Sequence, residues 1–193
     1  DQTLDYGLYN PKNFDLQHHG LVTARDALWR SLNVPAVVVL DRVGDAALLA
    51  LLSRAGVGTL DPSADEYGLG LAIGNCEARL DQLAEAYCML ANLGKHRPLS
   101  VLARPSLPAT RRVLSRGTCL SVYDMLANPP LGELNRVSIG AVDAPTRVCW
   151  KTGTSTANRD AWGFVFNRQY VVGVWMGNNN NRESAELVGA RSA

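Results

Sequence analysis

The pentapeptide Lys151-Thr152-Gly153-Thr154-Ser155 closes the first of three short runs rich in Val, Phe and Trp near the end of the chain. These runs are Arg147 to Lys151, Ala161 to Asn167 and Tyr170 to Met176. Only Arg168 and Gln169 separate the last two, which predicts a tight hairpin. We therefore expect an antiparallel meander whose first strand ends in the pentapeptide.

The residues before the meander have mostly helical patterns. Apolar residues at helical spacing predict helices over Ala24 to Arg30, Pro35 to Val43, Ala46 to Ala55, Arg79 to Leu93 and Thr118 to Ala127. Thr23, with Asp26 three residues later, is the predicted N-cap of the first helix, and Asp45 that of the third. Gly94 is the predicted C′ residue of the fourth, and a last helix is expected to begin near Ser184. Helices followed by a meander indicate an α+β fold, an antiparallel sheet packed with helices.

The composition is that of a globular protein with a sizeable core. The chain has 193 residues, 47% of them hydrophobic and 19% charged, with a net charge of +1. A net charge this close to zero produces a weak electrostatic field, which disfavours a nucleic-acid partner. No apolar run approaches the ~20 residues of a membrane-spanning helix. The four cysteines lack zinc spacing, and Cys88 and Cys149 are expected to be buried thiols. We predict neither a metal nor a cofactor.

The pentapeptide has the chemistry of a ligand-binding strand. Gly153 leaves one face of the strand bare, so that a ligand can lie against the backbone. Lys151 supplies a cation, and Thr152 and Thr154 supply hydroxyl groups. The backbone N–H of Thr154 is available to a developing oxyanion. A chance match to a given five-residue string is rare, on the order of one in ten thousand for a chain of this length.

The pentapeptide resembles the third motif of the penicilloyl-serine transferases, whose set is Ser-x-x-Lys, Ser-x-Asn and Lys-Thr-Gly. Ser31-Leu32-Asn33 matches the second motif and lies upstream, in the family's order. The flanking stretches Arg159-Asp160-Ala161-Trp162 and Val174-Trp175-Met176-Gly177-Asn178 are similar to the transpeptidase domain of class A penicillin-binding proteins. The resemblance covers nearly the whole chain and implies the penicillin-binding protein/β-lactamase-like fold.

The resemblance also implies roles for individual residues. Lys151 helps to hold the substrate carboxylate and tunes the local charge, and Thr152 and Thr154 hydrogen-bond that carboxylate. Ser31 relays a proton to the leaving amine, while Asn33 binds a substrate amide. Gly153 and Ser155 complete the substrate-binding strand. Ser31, Asn33 and Lys151 are thus the candidate catalytic residues, and positions 152–155 the candidate substrate-binding ones.

The sequence departs from the family at the nucleophile. No serine has lysine three positions later, because Lys12, Lys95 and Lys151 follow Tyr9, Asn92 and Val148 at that spacing. We therefore expect residues 1–193 to be a partial transpeptidase domain that lacks its N-terminal part, with a helical region over about 20–130 and a sheet region over about 146–193. Alone it is expected to be inactive, and either marginally stable or oligomeric.

The function that the resemblance implies is D,D-transpeptidation of peptidoglycan through a serine acyl-enzyme. Stem peptides and β-lactams are the implied ligands, with other cell-wall synthesis proteins as further partners. The implied location is the periplasmic face of the bacterial inner membrane, to which the parent protein is anchored. Two alternatives remain open: a serine β-lactamase or D,D-carboxypeptidase, which use water as acceptor, and a non-catalytic module that binds cell-wall peptides or a partner protein.

Overall fold

A computed structural model of the chain describes residues 1–3, 6–7, 9–61, 67–102, 108–127, 148–184 and 186–192. Within these ranges the helices are α1 (Ala24–Trp29), α2 (Asn33–Val43), α3 (Asp45–Arg54), α4 (Leu80–Ala91), α5 (Arg116–Leu126) and α6 (Gly189–Ser192). A 3-10 helix, Gly68–Ile73, lies between α3 and α4 and packs against α2. The predicted chain of helices is therefore present.

The strands form two antiparallel ladders. β1 (Lys95–His96) pairs with β2 (Arg111–Arg112), a short ladder that the sequence did not indicate. β3 (Cys149–Thr154), β4 (Asp160–Phe166) and β5 (Val171–Gly177) form a sheet in the order β3-β4-β5. The predicted meander and the α+β class are thus confirmed, and the Lys-Thr-Gly residues lie within a strand at the edge of the sheet.

Caps decide where the helices begin. The hydroxyl of Thr23 accepts the backbone N–H of Asp26 at 3.1 Å, which confirms the predicted cap of α1. The prediction that Asp45 is an N-cap is wrong, because Asp45 is the first residue of α3 and the N-cap is Gly44, at φ 87°. Helix α5 begins two residues before its predicted start because the hydroxyl of Ser115 accepts the N–H of Thr118 at 3.0 Å.

The end of α4 corrects the prediction for Gly94. Leu93, at φ 51°, occupies the left-handed C′ position, and the Gly94 N–H bonds the carbonyl of Met89. Gly94 is required for another reason, since a Cβ there would lie 2.1 Å from the Leu114 carbonyl oxygen. The short β1–β2 ladder brings these two backbones together.

The last predicted helix starts later than expected. Ser184 lies in irregular chain, where its N–H donates to the distant carbonyl of Asn158, and α6 begins only at Gly189. The predicted start of the first strand, Arg147, lies outside the described residues.

Helix α4 and the sheet form the core that supports β3. Tyr87 of α4 stacks on Phe164 of β4, with ring centroids 4.3 Å apart and planes at 7°, and meets Phe166 edge-on. Cys149 of β3 is fully buried, as predicted, and burial raises its thiol pKa to about 12. Cys88, by contrast, is only half-buried.

The entry to α2 is held by a buried asparagine. The N-cap residue of this helix is Leu32, whose side chain cannot accept a capping hydrogen bond. Instead the Oδ1 atom of Asn13, which is 2% exposed, accepts the N–H of Val34 at 3.1 Å. The amide nitrogen of Asn13 donates to the carbonyl of Gln17 and to the carboxylate of Asp1, each at 2.7 Å. One side chain therefore ties the first loop to the start of α2.

We predict that Asn13→Ala lowers the free energy of unfolding by about 1–3 kcal/mol, because the N–H of Val34 loses its partner in a buried place. Urea denaturation of the chain measures the loss. Asn10→Ala, at an exposed asparagine in the same loop, is the matched control and should change stability little. Equal stabilities of the two variants would contradict the capping role.

Candidate active site

The motif strand presents two different faces. Because side chains alternate along a strand, Lys151 and Gly153 share one face, and Thr152 and Thr154 share the other. Lys151 pairs with Phe164 and Gly153 with Trp162 across the ladder. The first face therefore lies on the side where Phe164 meets α4. The other edge of β3 pairs with no further strand among the residues that the structure describes.

The two sequence motifs meet in a side-chain contact. The ammonium group of Lys151 donates a hydrogen bond to the hydroxyl oxygen of Ser31, across 120 residues of sequence. It also donates to the carbonyl of Thr152 at 2.8 Å. Two of the three predicted catalytic residues are thus in direct contact.

The end of α1 presents Ser31 to this contact. The Ser31 N–H bonds the carbonyl of Leu28, and the Leu32 N–H bonds that of Ala27, which together form a Schellman ending. Ser31 occupies the left-handed position at φ 55°, which glycine usually fills. A non-glycine residue in this conformation costs about 1–2 kcal/mol. The backbone is therefore strained where the hydroxyl meets Lys151.

Burial gives Lys151 an unusually low pKa. Desolvation lowers the pKa of its ammonium group to about 8. In the part of the chain that the structure describes, no carboxylate forms an ion pair with it. A lysine with such a pKa holds its proton at neutral pH yet releases it far more readily than an exposed lysine does.

The substrate-binding candidates lie in different environments. Gly153 is open, since an added Cβ would meet only the Cβ of Trp162, at 3.6 Å. The hydroxyl oxygen of Thr154 accepts the N–H of Gly189 at 3.0 Å, which ties β3 to α6. That of Ser155 accepts the N–H of Asp160 at 2.8 Å and so closes the turn between β3 and β4. The hydroxyl of Thr152 forms no hydrogen bond to any described residue, which leaves it available to a ligand.

Asn33 stands apart from the Ser31–Lys151 contact. Asn33 is the first residue of α2, and its amide nitrogen donates to the carbonyl of Lys12 at 2.8 Å. No hydrogen bond joins Asn33 to Ser31 or Lys151 in the described ranges. Its amide oxygen remains available as an acceptor.

Trp29 and Trp150 help to position this site, and the sequence did not predict their contact. The rings of Trp29 and Trp150 lie 5.6 Å apart at 48°, and they join the end of α1 to β3. Trp150 directly precedes Lys151, and Trp29 is two residues before Ser31. This contact bridges the same two elements as the polar one. The short distance in sequence between each tryptophan and a motif residue was the only signal.

Comparisons with known proteins place the chain in a family. No protein-family model matches the chain. It is 35% identical over 172 residues to penicillin-binding protein 1C of Escherichia coli, covering 89% of the chain and 22% of that protein. It is 33% identical to penicillin-binding protein 1A of Aquifex aeolicus, covering 86% of the chain and 23% of the relative. The chain thus spans less than a quarter of the length of these relatives.

Solved structures agree on the fold. Penicillin-binding protein 1A of Haemophilus influenzae superposes with a TM-score of 0.79 at 18% identity, covering 98% of this chain and 36% of the other. PonA1 of Mycobacterium tuberculosis gives 0.76 at 20% identity, covering 97% of this chain and 56% of the other. The fold, the Lys-Thr-Gly strand and the sequence relatives together show that the chain belongs to the class A penicillin-binding proteins, a peptidoglycan-synthesis family, and corresponds to part of their transpeptidase domain.

Proposed function

We propose that the protein is a peptidoglycan D,D-transpeptidase and that this chain supplies the substrate-binding strand and the proton relay of its active site. The observation that carries the proposal is the hydrogen bond from Lys151 to Ser31. It joins the residues that match the second and third motifs of the family, although they are distant in sequence.

The proposed reaction has two acyl-transfer steps. A serine hydroxyl attacks the carbonyl between the two terminal D-alanines of a stem peptide, and the last D-alanine leaves with the proton. The amine of a neighbouring stem then attacks the serine ester, which forms the cross-link and frees the serine. Because no serine in these 193 residues has lysine three positions later, the proposal assigns the nucleophile to residues outside them.

Ser31 and Lys151 perform the proton transfer to the leaving amine in this proposal. The hydroxyl of Ser31 accepts a hydrogen bond from Lys151, so its own proton is free to point toward the leaving group. A lysine whose pKa is about 8 suits general acid–base work near neutral pH. Burial of the ammonium group and its contact with a hydroxyl, instead of a carboxylate, support this role.

In this proposal, strand β3 binds the substrate. The hydroxyl of Thr152 and the cation of Lys151 contact the terminal carboxylate, and the open backbone at Gly153 receives the peptide. Thr154 contributes its backbone N–H to the oxyanion, while its hydroxyl holds α6 in place. Ser155 acts through the turn that it closes, and the amide oxygen of Asn33 accepts a hydrogen bond from the stem peptide.

Domain, partners and location follow as parts of the same proposal. Residues 1–193 form a partial transpeptidase domain whose ligands are stem peptides and β-lactams, and the whole protein works at the periplasmic face of the inner membrane. Among the described residues, no helix has both the length and the apolar character needed to cross a bilayer.

The first prediction from the proposed function concerns acylation by a fluorescent penicillin. The full-length protein that contains this chain should be labelled stoichiometrically. Thr152→Val should slow labelling by about 10- to 100-fold, because one hydrogen bond to a carboxylate is lost. Thr156→Val, at an exposed threonine beyond the strand, is the matched control and should label normally.

Two results would contradict the proposed activity. Failure of the full-length protein to label would exclude the acyl-enzyme and favour a module that only binds. Rapid turnover of the chromogenic cephalosporin nitrocefin, in place of stoichiometric trapping, would indicate water as acceptor and so a β-lactamase or D,D-carboxypeptidase.

The second prediction separates the backbone strain at Ser31 from its hydroxyl. Ser31→Gly and Ser31→Ala both remove the hydroxyl, but only glycine relieves the left-handed conformation. Urea denaturation should therefore give the glycine variant about 1 kcal/mol more stability than the alanine variant. In the full-length protein both should slow release of D-alanine to a similar extent. A wild-type rate for Ser31→Gly would remove the hydroxyl from the proton relay.

The third prediction concerns the titration of Lys151. The chain has three lysines, so labelling their ε-carbons with ¹³C gives three NMR signals. One should titrate near pH 8 and be absent from Lys151→Arg. Since the folded state binds fewer protons than the unfolded state between pH 8 and about 10.4, the cost of burying Lys151 is present below pH 8 and disappears as the pH rises through this window. A set of signals that all titrate above pH 9.5 or so would contradict the lowered pKa.

A further inference from the structure

A concave site that includes neither Ser31 nor Lys151 in its lining lies elsewhere on the molecule. It is a cavity of about 400 Å³ between the end of α4, the chain that follows β1 and the hairpin turn between β4 and β5. That turn follows Phe166, whereas Trp162, the partner of Gly153, lies toward the other end of β4. The volume is within the range of small-ligand sites, about 300–1,000 Å³.

The walls of this cavity carry charge of one sign. Lys95, Arg97 and Arg168 line it, and no aspartate or glutamate is among the described residues of its lining. No ion pair or side-chain hydrogen bond engages these three cations in the part of the chain that the structure describes. The chain as a whole is nearly neutral, with a net charge of +1. Three cations that line one cavity without an ion-pair partner among the described residues are therefore a local property of this place.

The backbone that carries Lys95 and Arg97 is held firmly. The amide nitrogen of Asn92 donates to the carbonyl of Lys95 at 3.1 Å. The buried ring of His96 binds one carboxylate oxygen of Glu85, and the other oxygen accepts the N–H of Leu99 at 3.0 Å. The carboxylate of Glu85 is thus engaged in fixing the segment and does not line the cavity.

The turn that carries Arg168 is held in a similar way. The side-chain oxygen of Asn167 accepts the N–H of Gln169 at 2.7 Å and that of Tyr170 at 2.8 Å. The backbone N–H of Asn167 donates to the carbonyl of Tyr170 at 2.9 Å. Both cation-bearing segments are therefore fixed before any ligand arrives, which reduces the entropy lost on binding.

The remaining lining combines an apolar floor with polar groups. Ala91 and Val171 supply apolar surface, and the side-chain amide of Gln169 supplies hydrogen-bond donors, whereas the hydroxyl of Ser100 already donates to the carbonyl of Leu102 at 2.7 Å. Cations with an apolar floor suit a ligand that has an anionic group and a less polar body.

We propose that this cavity, with Lys95, Arg97 and Arg168 at its wall, binds a phosphate-bearing ligand. A phosphate group offers several acceptor oxygens and more than one negative charge, which matches converging cations better than a single carboxylate does. The ligand is either a soluble phosphate compound or the head group of a phospholipid. The site is separate from the proposed transpeptidase site and does not depend on that activity.

The test is calorimetric titration of the full-length protein with two probes. Inorganic pyrophosphate represents soluble phosphates, and short-chain phosphatidylglycerol below its micelle concentration represents lipid head groups. The triple variant Lys95→Gln/Arg97→Gln/Arg168→Gln should bind the effective probe at least about tenfold more weakly. Binding to the wild type should also weaken with added salt.

A charge-matched variant supplies the control. Arg42→Gln/Arg116→Gln/Arg182→Gln removes three exposed cations outside the cavity and should bind within about twofold of the wild type. Binding of pyrophosphate alone identifies a soluble ligand, and binding of the lipid identifies a head group. No binding of either probe to the wild type, or equal losses in the two triple variants, would overturn the proposal. Tighter binding of polyglutamate than of both probes would overturn it in favour of an acidic peptide. Thermal melts of both triple variants confirm that folding is unchanged.

Discussion

The contact between the Lys151 ammonium group and the Ser31 hydroxyl depends on almost every other part of the fold. It requires β3 to lie at the edge of the sheet, α1 to end beside that edge, and the intervening helices to bring the two together. The Lys151 ammonium group is desolvated, although Ser31 itself is exposed, so a misplaced ammonium group would lose its partners at high cost. The geometry of this one contact is therefore sensitive to small shifts in the elements around it.

Aromatic contacts and one hydrogen-bonding side chain hold the elements around the site in place. Tyr87 stacks on Phe164 and fixes α4 against the sheet, while Trp29 and Trp150 fix the end of α1 against β3. Asn13 then fixes the start of α2, directly after Ser31-Leu32. The strained backbone of Ser31 is stable because these contacts on both sides determine the path of the chain. Strain and support thus occur together at the candidate site.

The cavity at the β4–β5 turn shows a different use of the same sheet. The β3–β4 ladder supports a strand with one desolvated lysine, Lys151, which pairs with Phe164, and the turn that follows Phe166 presents Arg168 to the cavity that Lys95 and Arg97 also line. Burial lowers the pKa of the single lysine, whereas the cavity gathers three cations with no aspartate or glutamate among the described residues of its lining. Desolvation suits proton transfer, and an unneutralised cluster suits the capture of an anion.

Local chemistry in the sequence was sufficient for the class of fold and for the position of the motif strand. Alternating apolar runs around a two-residue turn specified the meander, the hydroxyl of Thr23 specified the start of α1, and Lys151 to Ser155 identified the motif strand, because each of these signals acts between near neighbours. Other features needed the tertiary structure. The cap of α2 comes from Asn13, and Gly94 is required by the approach of Leu114, while Leu93 ends α4. Likewise the lowered pKa of Lys151 and the convergence of Lys95, Arg97 and Arg168 depend on which distant segments remove water or lie side by side. Burial and long-range contacts are properties of the packed chain, so only the tertiary structure decided them.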